Sequence, residues 1–305
     1  MTNRSAIGLM CLAVLCFSVL DSTAKYLGEF TSIPFEQVLW LRFLTHSALL
    51  MLLYSPPKFF QALKTKAPRA QLVRTLTMLG ATAFNFWALK YLQLDQTITI
   101  FFLSPLLIAA LAGPLLGERL EKTQFLAVIF GFLGVLIVTR PGFGGIHWAV
   151  GLSLMATLSL AFYNVFTRYT SRYDNNNTNQ IYAPLGGAFL FAPFAITSWQ
   201  TPDSLFIWAL LFSLGISGGM GHWLLITAHR HAPAPLLAPF IYLGIISMPI
   251  IGYYIFDDVP STWTLAGAVC VIASGLYLWS REKESRKNKR GYGPENSAAE
   301  PPIQP

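Results

Sequence analysis

The sequence predicts an all-α membrane protein in which ten transmembrane helices form two inverted five-helix repeats. Composition is the first observation: 54% of the 305 residues are hydrophobic and only 11% are charged, whereas a soluble domain carries about 25% charged residues. Second, the apolar residues occur in successive runs of roughly 17–25, the length that a helix needs to cross ~30 Å of hydrocarbon. Third, residues of the first half recur in the same order in the second half.

The apolar runs give the positions of the spans. They are expected near 6–27, 34–54, 72–92, 96–116, 123–139, 148–169, 180–198, 205–227, 234–256 and 262–279. Turn-forming and charged residues separate them, as at Ser55-Pro56-Pro57. The seventh span is the least uniform, because prolines and glycines from Pro184 to Pro193 interrupt it. A β-barrel is excluded, since runs such as 125–139 are too long and too uniformly apolar for strands that alternate in polarity.

The distribution of lysine and arginine predicts the orientation. With the N-terminus in the cytoplasm, most of the 21 basic residues lie inside or at the inner boundary, whereas Lys90 and Arg140 lie at the outer side. The chain is therefore expected to be a multi-pass protein of a bacterial inner membrane with both termini cytoplasmic. Its net charge of +7 reflects this bias toward the inner lipid surface, so no nucleic-acid partner is predicted.

An internal repeat divides the chain. The segment 6–26 matches 149–169, with Asp21 aligned to Asn164, and Glu118 aligns with Asp258. Because each unit has an odd number of spans, the second unit enters the membrane from the opposite side, as in many secondary transporters that bind near the midplane between their repeats. The predicted organisation is a first five-helix repeat at 1–143, a second at 144–281, and a disordered cytoplasmic tail at 282–305.

Several motifs carry a family resemblance. They are Cys16-Phe17-Ser18 with Asp21, Lys25-Tyr26-Leu27, Arg42-Phe43, Ser104-Pro105-Leu106, Gly117-Glu118-Arg119, and Gly131 with Gly134. In these residues the chain resembles the EamA type of the drug/metabolite transporter superfamily over roughly residues 5–281. Within it, the chain is similar to the metabolite-uptake branch that includes S-adenosylmethionine and riboflavin carriers. Asp257-Asp258 departs from the family pattern, in which Gly-Glu is usual.

The resemblance implies an architecture and a place for the site. Ten helices with both termini inside are expected, with a central cavity lined by helices one to four and six to nine. Helices five and ten would be peripheral. The direction of transport that the resemblance implies is uptake.

Ionisable residues inside the spans are costly and therefore mark candidate sites. From ~1.5 Å of rise per residue, Asp21 lies roughly 9 Å and Arg42 roughly 12 Å deep on consecutive antiparallel helices, so an ion pair between them is predicted. Lys25 and Glu36 also match in depth, at about 3 Å, but Glu36 and Arg42 lie roughly 240° apart around their helix, so the two pairs compete and the Asp21–Arg42 pair is favoured. Such pairs can serve transport or only fix helix packing, and the sequence leaves both open.

The predicted substrate-binding set joins charges to aromatic and polar residues of both halves. It comprises Asp21, Lys25, Trp40, Arg42, Asn85, Trp87, Tyr163, Asn164, His222, Trp223 and Tyr242. Trp40 and Trp87 lie near the estimated depth of Arg42, and an aromatic wall with a few polar groups suits a planar or amphipathic ligand. Plain core packing is the alternative for each aromatic residue. His222 follows a glycine-rich run and can equally be bonded within the core.

The chain shows no phosphate-binding loop, metalloprotease motif or nucleophile elbow. No enzyme activity, cofactor or metal is therefore predicted. The expected function is secondary transport of a small planar or amphipathic metabolite across the lipid bilayer by alternating access. Riboflavin uptake is the first choice, because the charges within the spans can pair with each other and leave little unpaired charge for a strongly ionic substrate. Export of amino acids or amphiphilic drugs is the alternative. A membrane enzyme and a structural subunit are the other classes, and the sequence leaves open whether the chain forms a homodimer.

Overall fold

The computed structural model describes residues 3–116, 122–139, 147–231 and 237–291, apart from 238 and 239. Within these ranges the regular structure is helical throughout. The helices are α1 (Asn3–Phe30), α2 (Phe35–Leu53), α3 (Pro56–Ala62), α4 (Pro68–Leu89), α5 (Leu94–Phe101), α6 (Ser104–Leu116), α7 (Lys122–Thr139), α8 (Ala149–Thr170), α9 (Asn176–Thr197), α10 (Leu205–His231), α11 (Leu243–Phe256) and α12 (Thr262–Gly291). Helices α1 to α7 form the first half of the chain, and α8 to α12 form the second.

Four helices are long and apolar enough to cross a membrane: Arg4–Phe30, Ala149–Thr170, Asn176–Thr197 and Leu205–Ala228. Within the described residues the other apolar helices are shorter, and the predicted fourth span is interrupted between α5 and α6. The break at residues 102–103 lies just before Pro105, which has no backbone N–H to donate to the carbonyl of Phe101 and whose ring crowds that carbonyl. The prolines of the predicted seventh span, by contrast, lie inside a continuous α9. The chain is thus a multi-pass helical protein, and ten spans remain an expectation.

The predicted unit boundary at 143/144 lies outside the described residues. The tail predicted from residue 282 is described only as far as Gly291, and this part continues α12 as helix. The remainder of the tail, 292–305, lies outside the described residues.

The two halves pack helix against helix across their boundary. Helix α1 lies against α10, α4 against α8, α2 against α9, and α7 against α12. By their order in the chain, α1 and α4 of the first half correspond to α8 and α10 of the second half, respectively. Exchanging the halves therefore converts the α1–α10 pair into the α4–α8 pair and leaves the other two pairs unchanged. The packing follows an approximate twofold relationship between the halves.

The corresponding helices α2 and α9 run in opposite directions. Near the start of α2, the Gln37 side chain donates to the carbonyl of Gln200, just beyond the end of α9, at 2.9 Å. Beyond the end of α2, the Tyr54 hydroxyl donates to Gln180 in the first turns of α9 at 3.3 Å. Because these helices hold the same place in each half, the halves are inverted relative to one another.

The other corresponding pair, α7 and α12, is also antiparallel and approaches closely at glycines. A Cβ added to Gly134 would lie 2.9 Å from the carbonyl oxygen of Gly267, and Gly131 faces Ser274 further along. Such contact between backbones is the role that small residues have in membrane helix packing. It fixes α7 and α12 at one side of the molecule, away from the charged residues of α1, α2 and α4.

Candidate functional site

A cluster of polar and charged side chains lies where the halves meet. We call it the central polar cluster; it consists of Asp21 on α1, Arg42 and His46 on α2, Arg74 and Asn85 on α4, Tyr163 on α8, and His222 on α10. The two arginines are each 2% exposed and His46 is 6% exposed. Charges this deeply buried among membrane-spanning helices need partners or a function.

Asp21 and Arg42 come close together but do not form the predicted ion pair. Asp21 instead accepts a hydrogen bond from the Asn85 amide at 3.0 Å. The two ion pairs found among the described residues both belong to Lys25. Asn85 lies on α4, which packs against α1, and its amide donates to one of the Asp21 carboxylate oxygens. Depth along consecutive helices was therefore not enough to predict which residue pairs with Asp21.

The Arg42 guanidinium lies over aromatic rings. Its central carbon is 4.4 Å from the Phe43 ring centroid and 5.9 Å from that of Phe86. Its Nε and Nη1 atoms are buried without a hydrogen-bond partner. On the side of α10, Nη2 lies beside Gly218, where an added Cβ would be 3.6 Å from it. A buried guanidinium with free donors is set to bind an acceptor that the protein does not supply.

Two histidines join the halves next to this guanidinium. The imidazoles of His46 and His222 stack with ring centroids 6.1 Å apart, and Phe17 meets His222 edge-on at 5.1 Å. The Nδ1 atom of His46 is buried without a hydrogen-bond partner. His222 is thus part of the cluster, as predicted, and it is joined by His46, which is absent from the predicted binding set.

Arg74 is absent from the predicted binding set but is a buried member of the cluster. Its guanidinium donates to the hydroxyls of Tyr163 and Thr167, each at 2.8 Å, and lies over the Tyr163 ring at 4.7 Å. The sequence did hold a signal, because Arg74 lies about three helical turns before Asn85 and therefore on the same face of α4. The Asn164 amide bonds within its own helix, to the carbonyl of Leu160.

The aromatic residues predicted to form one wall do not converge. Trp40 is used in packing, since its indole donates to the carbonyl of Ala188 on α9 at 2.9 Å. Trp87 is 43% exposed near the end of α4, and Trp223 is 47% exposed on the outer surface of α10. Tyr242 stacks on Phe102, away from the cluster.

Lys25 likewise lies outside the cluster, at the C-terminal part of α1. It pairs with Glu29 at 3.1 Å and Asp258 at 3.5 Å, and it donates to the carbonyl of Leu92 at 3.2 Å. The predicted partner Glu36 is not involved. Glu29 is one turn away on the same helix and Asp258 comes from the second half, so neither partner lies on α2, the helix that depth alone had suggested. This arrangement makes Lys25 a structural link between the halves.

A second polar network joins the halves at one end of the molecule. Asp174, between α8 and α9, accepts hydrogen bonds from the Thr65 hydroxyl, the Lys66 backbone N–H and the Gln71 amide. Partial burial raises the pKa of Asp174, but these donors outweigh burial and hold the pKa below its ordinary value. The Gln71 amide also donates to Asn179 at 2.6 Å.

At the opposite end lies an open cleft of about 490 Å³. It is bounded by the end of α1 and by the segment between α9 and α10, and it is lined by residues that include Thr31, Ile33, Gln200 and Asp203. The central polar cluster therefore lies between the Asp174 network at one end and this cleft at the other.

Inverted halves, membrane-spanning helices and buried charges at the seam together define a multi-pass membrane transporter. The model of the EamA-like transporter family matches residues 4–140 and again 147–280, and the chain belongs to this family. The two matches coincide with the two halves and confirm the family resemblance read from the sequence motifs.

Curated relatives match along nearly the whole chain. An S-adenosylmethionine uptake transporter of Rickettsia bellii (strain RML369-C) is 28% identical over 94% of this chain and 98% of its own length. A riboflavin transporter of Vibrio cholerae serotype O1 is 24% identical over 91% of this chain and 94% of its own length. A solved crystal structure shares the fold, with a TM-score of 0.58 and 18% identity over 90% of this chain and 96% of its own.

Proposed function

We propose that this protein is a secondary transporter of the bacterial inner membrane that takes up a small metabolite by alternating access. The observation that carries the proposal is the composition of the central polar cluster. Its members come from α1, α2 and α4 of one half and from α8 and α10 of the other. A rocking motion between inverted halves would therefore open this site to one side of the membrane and then to the other.

The substrate that the cluster fits best is a charged metabolite of the S-adenosylmethionine type. Riboflavin was favoured on the sequence because the buried charges were expected to neutralise each other and because an aromatic wall was expected. Neither premise matches the geometry: Arg42 keeps free donors, and Trp87 and Trp223 are exposed elsewhere. S-adenosylmethionine carries a carboxylate, an ammonium and a sulfonium, whereas riboflavin carries none of these.

Riboflavin uptake is the second candidate, supported by the relatives named as riboflavin transporters. Export of amino acids or amphiphilic drugs ranks third, because the relatives whose names state a direction of transport are named as uptake transporters.

Transport by the purified chain in proteoliposomes tests the proposal. Labelled S-adenosylmethionine and labelled riboflavin are offered outside, and we expect saturable entry of the first. Trp223→Phe, a conservative change at the exposed surface of α10, serves as the matched control and should transport normally. Absence of saturable flux for both compounds, from protein with a cooperative melting transition, would reject the proposal.

A further inference from the structure

We propose that Arg42 and the Asp21–Asn85 pair form a clamp for the α-amino-acid end of the substrate, with Arg42 binding the carboxylate and Asp21 binding the ammonium. The inference rests on the proposed function and specifies which part of the substrate the central polar cluster reads. It turns on two opposite charges that share a buried site without touching each other.

The case for the carboxylate begins with the free donors of Arg42. The side chain is 2% exposed, and its Nε and Nη1 atoms have no hydrogen-bond partner. Buried hydrogen-bond donors are rarely left unpaired, because each unpaired donor has lost its hydrogen bonds to water without gaining one in the protein. The planar fork of a guanidinium matches the two oxygens of a carboxylate, so an acidic group on the substrate would satisfy both atoms at once.

The other arginine of the cluster is not available in this way. Arg74 already donates to Tyr163, Thr167 and Gln71. The contrast shows that the fold can satisfy a buried guanidinium from within and does not do so for Arg42. Within the described residues, Arg42 is therefore the arginine of the cluster with donors to spare.

Asp21 supplies the opposite charge. One oxygen accepts from Asn85 at 3.0 Å, and a carboxylate has room for several further donors. Asp21 and Arg42 are near enough to interact electrostatically, yet no ion pair joins them. A ligand with an ammonium next to its carboxylate can place each charge against its opposite, which neither a plain anion nor an uncharged ring system does.

Glycine on α10 leaves room beside the guanidinium. An added Cβ at Gly218 would meet Arg42 Nη2 at 3.6 Å and the Leu20 side chain at 3.7 Å, and Leu20 adjoins Asp21 in sequence. Ordinary van der Waals distances of this kind mean that an alanine fits there without forcing the backbone to move. It would, however, fill space directly beside the Arg42 guanidinium, where a bound carboxylate would lie.

Binding of a set of analogues to the purified protein in detergent tests the clamp independently of flux. The probes are S-adenosylmethionine, its decarboxylated form and methylthioadenosine, which lacks the whole amino-acid end. We expect the decarboxylated form to bind about tenfold to a hundredfold more weakly than S-adenosylmethionine. In Arg42→Gln, S-adenosylmethionine should fall to the level of the decarboxylated form, while the decarboxylated form binds as before.

Two glycine variants complete the design. Gly218→Ala should weaken S-adenosylmethionine binding without lowering the melting temperature, whereas Gly151→Ala, where nothing lies within 4 Å of the added carbon, should change neither. Equal binding of S-adenosylmethionine and its decarboxylated form by the wild-type protein would overturn the clamp, as would an Arg42→Gln variant that weakens all three probes equally. Selective binding of the amino-acid end without flux in proteoliposomes would instead reject the proposed function and leave the clamp standing.

Discussion

His46 on α2 and His222 on α10 stack across the boundary between the halves, with their ring planes only 13° apart. One ring comes from each half, so the contact must change if the halves move relative to each other. His222 is followed in sequence by Trp223, which points about 100° away around α10 and is 47% exposed. These neighbours provide a test of which face of α10 serves transport.

His222→Gln should lower the maximal transport rate by about tenfold or more, the effect of losing about 1.4 kcal/mol of interaction at the seam. Trp223→Phe should leave the rate near that of the wild-type protein, because its ring faces away from the cluster. The measurement is initial uptake into proteoliposomes at matched protein density. Equal rates in the two variants would show that the cluster is not on the transport path.

The single changes Asp21→Asn and Arg42→Ala should each abolish uptake, since each removes one charge of the cluster. The double exchange Asp21→Arg with Arg42→Asp should not restore it. An ion pair would tolerate the exchange, but Asp21 is held by Asn85 and Arg42 lies over Phe43, so the reversed charges would meet the wrong neighbours. Recovery of uptake by the double variant would show that the two residues pair directly during transport.

Lys25→Met should destabilise the protein and leave its choice of ligand unchanged. Lys25 is 5% exposed and links Glu29, Asp258 and the carbonyl of Leu92. Removing Lys25 leaves Asp258, whose side chain is 18% exposed, without its cation, while Glu29 is 39% exposed and can turn to solvent, so the cost is about 2 kcal/mol, below that of a fully buried pair. The check is the melting temperature in detergent together with the ratio of affinities for S-adenosylmethionine and its decarboxylated form. Glu36→Gln is the matched control, and its melting temperature should match that of the wild type.

Asp174→Asn should lower the melting temperature at pH 7, because three donors lose a charged acceptor. The pKa of Asp174 is lowered in the folded state, so its contribution to stability is present above the ordinary value of 3.8 and disappears as the pH falls through the folded pKa. The difference between wild type and variant should therefore shrink below pH 3.8. A difference that stays constant on acidification would contradict the assignment.

Cysteine labelling tests the orientation. Asp203 and Lys64 are both exposed. Asp203 lies in the segment that follows α9, which is outside in the proposed topology, and Lys64 lies in the segment that precedes α4, which is inside. In a background without the native cysteines Cys11, Cys16 and Cys270, Asp203→Cys should react with an impermeant reagent on intact cells. Lys64→Cys should react only after permeabilisation. The reverse pattern would invert the topology.

The sequence by itself determined the class of protein. The length of the apolar runs, the loop positions of lysine and arginine, and the recurrence of 6–26 in 149–169 are properties of the chain in one dimension. They were enough to predict helices and a two-repeat organisation, and the resemblance of short motifs such as Arg42-Phe43 indicated the family. They also located Asp21, Arg42, Asn85, Tyr163 and His222, all of which lie in the central polar cluster.

Only the tertiary structure decided which side chains meet. Position along a helix gives the depth of a residue, but contact also depends on the rotation of each helix about its axis and on which helix it packs against. Asp21 is therefore bonded to Asn85 rather than to Arg42, and Lys25 pairs with Asp258 from the other half. The same packing leaves Arg42 as a buried cation whose donors are free for a ligand, because the helices around it present aromatic rings and glycine instead of an acceptor.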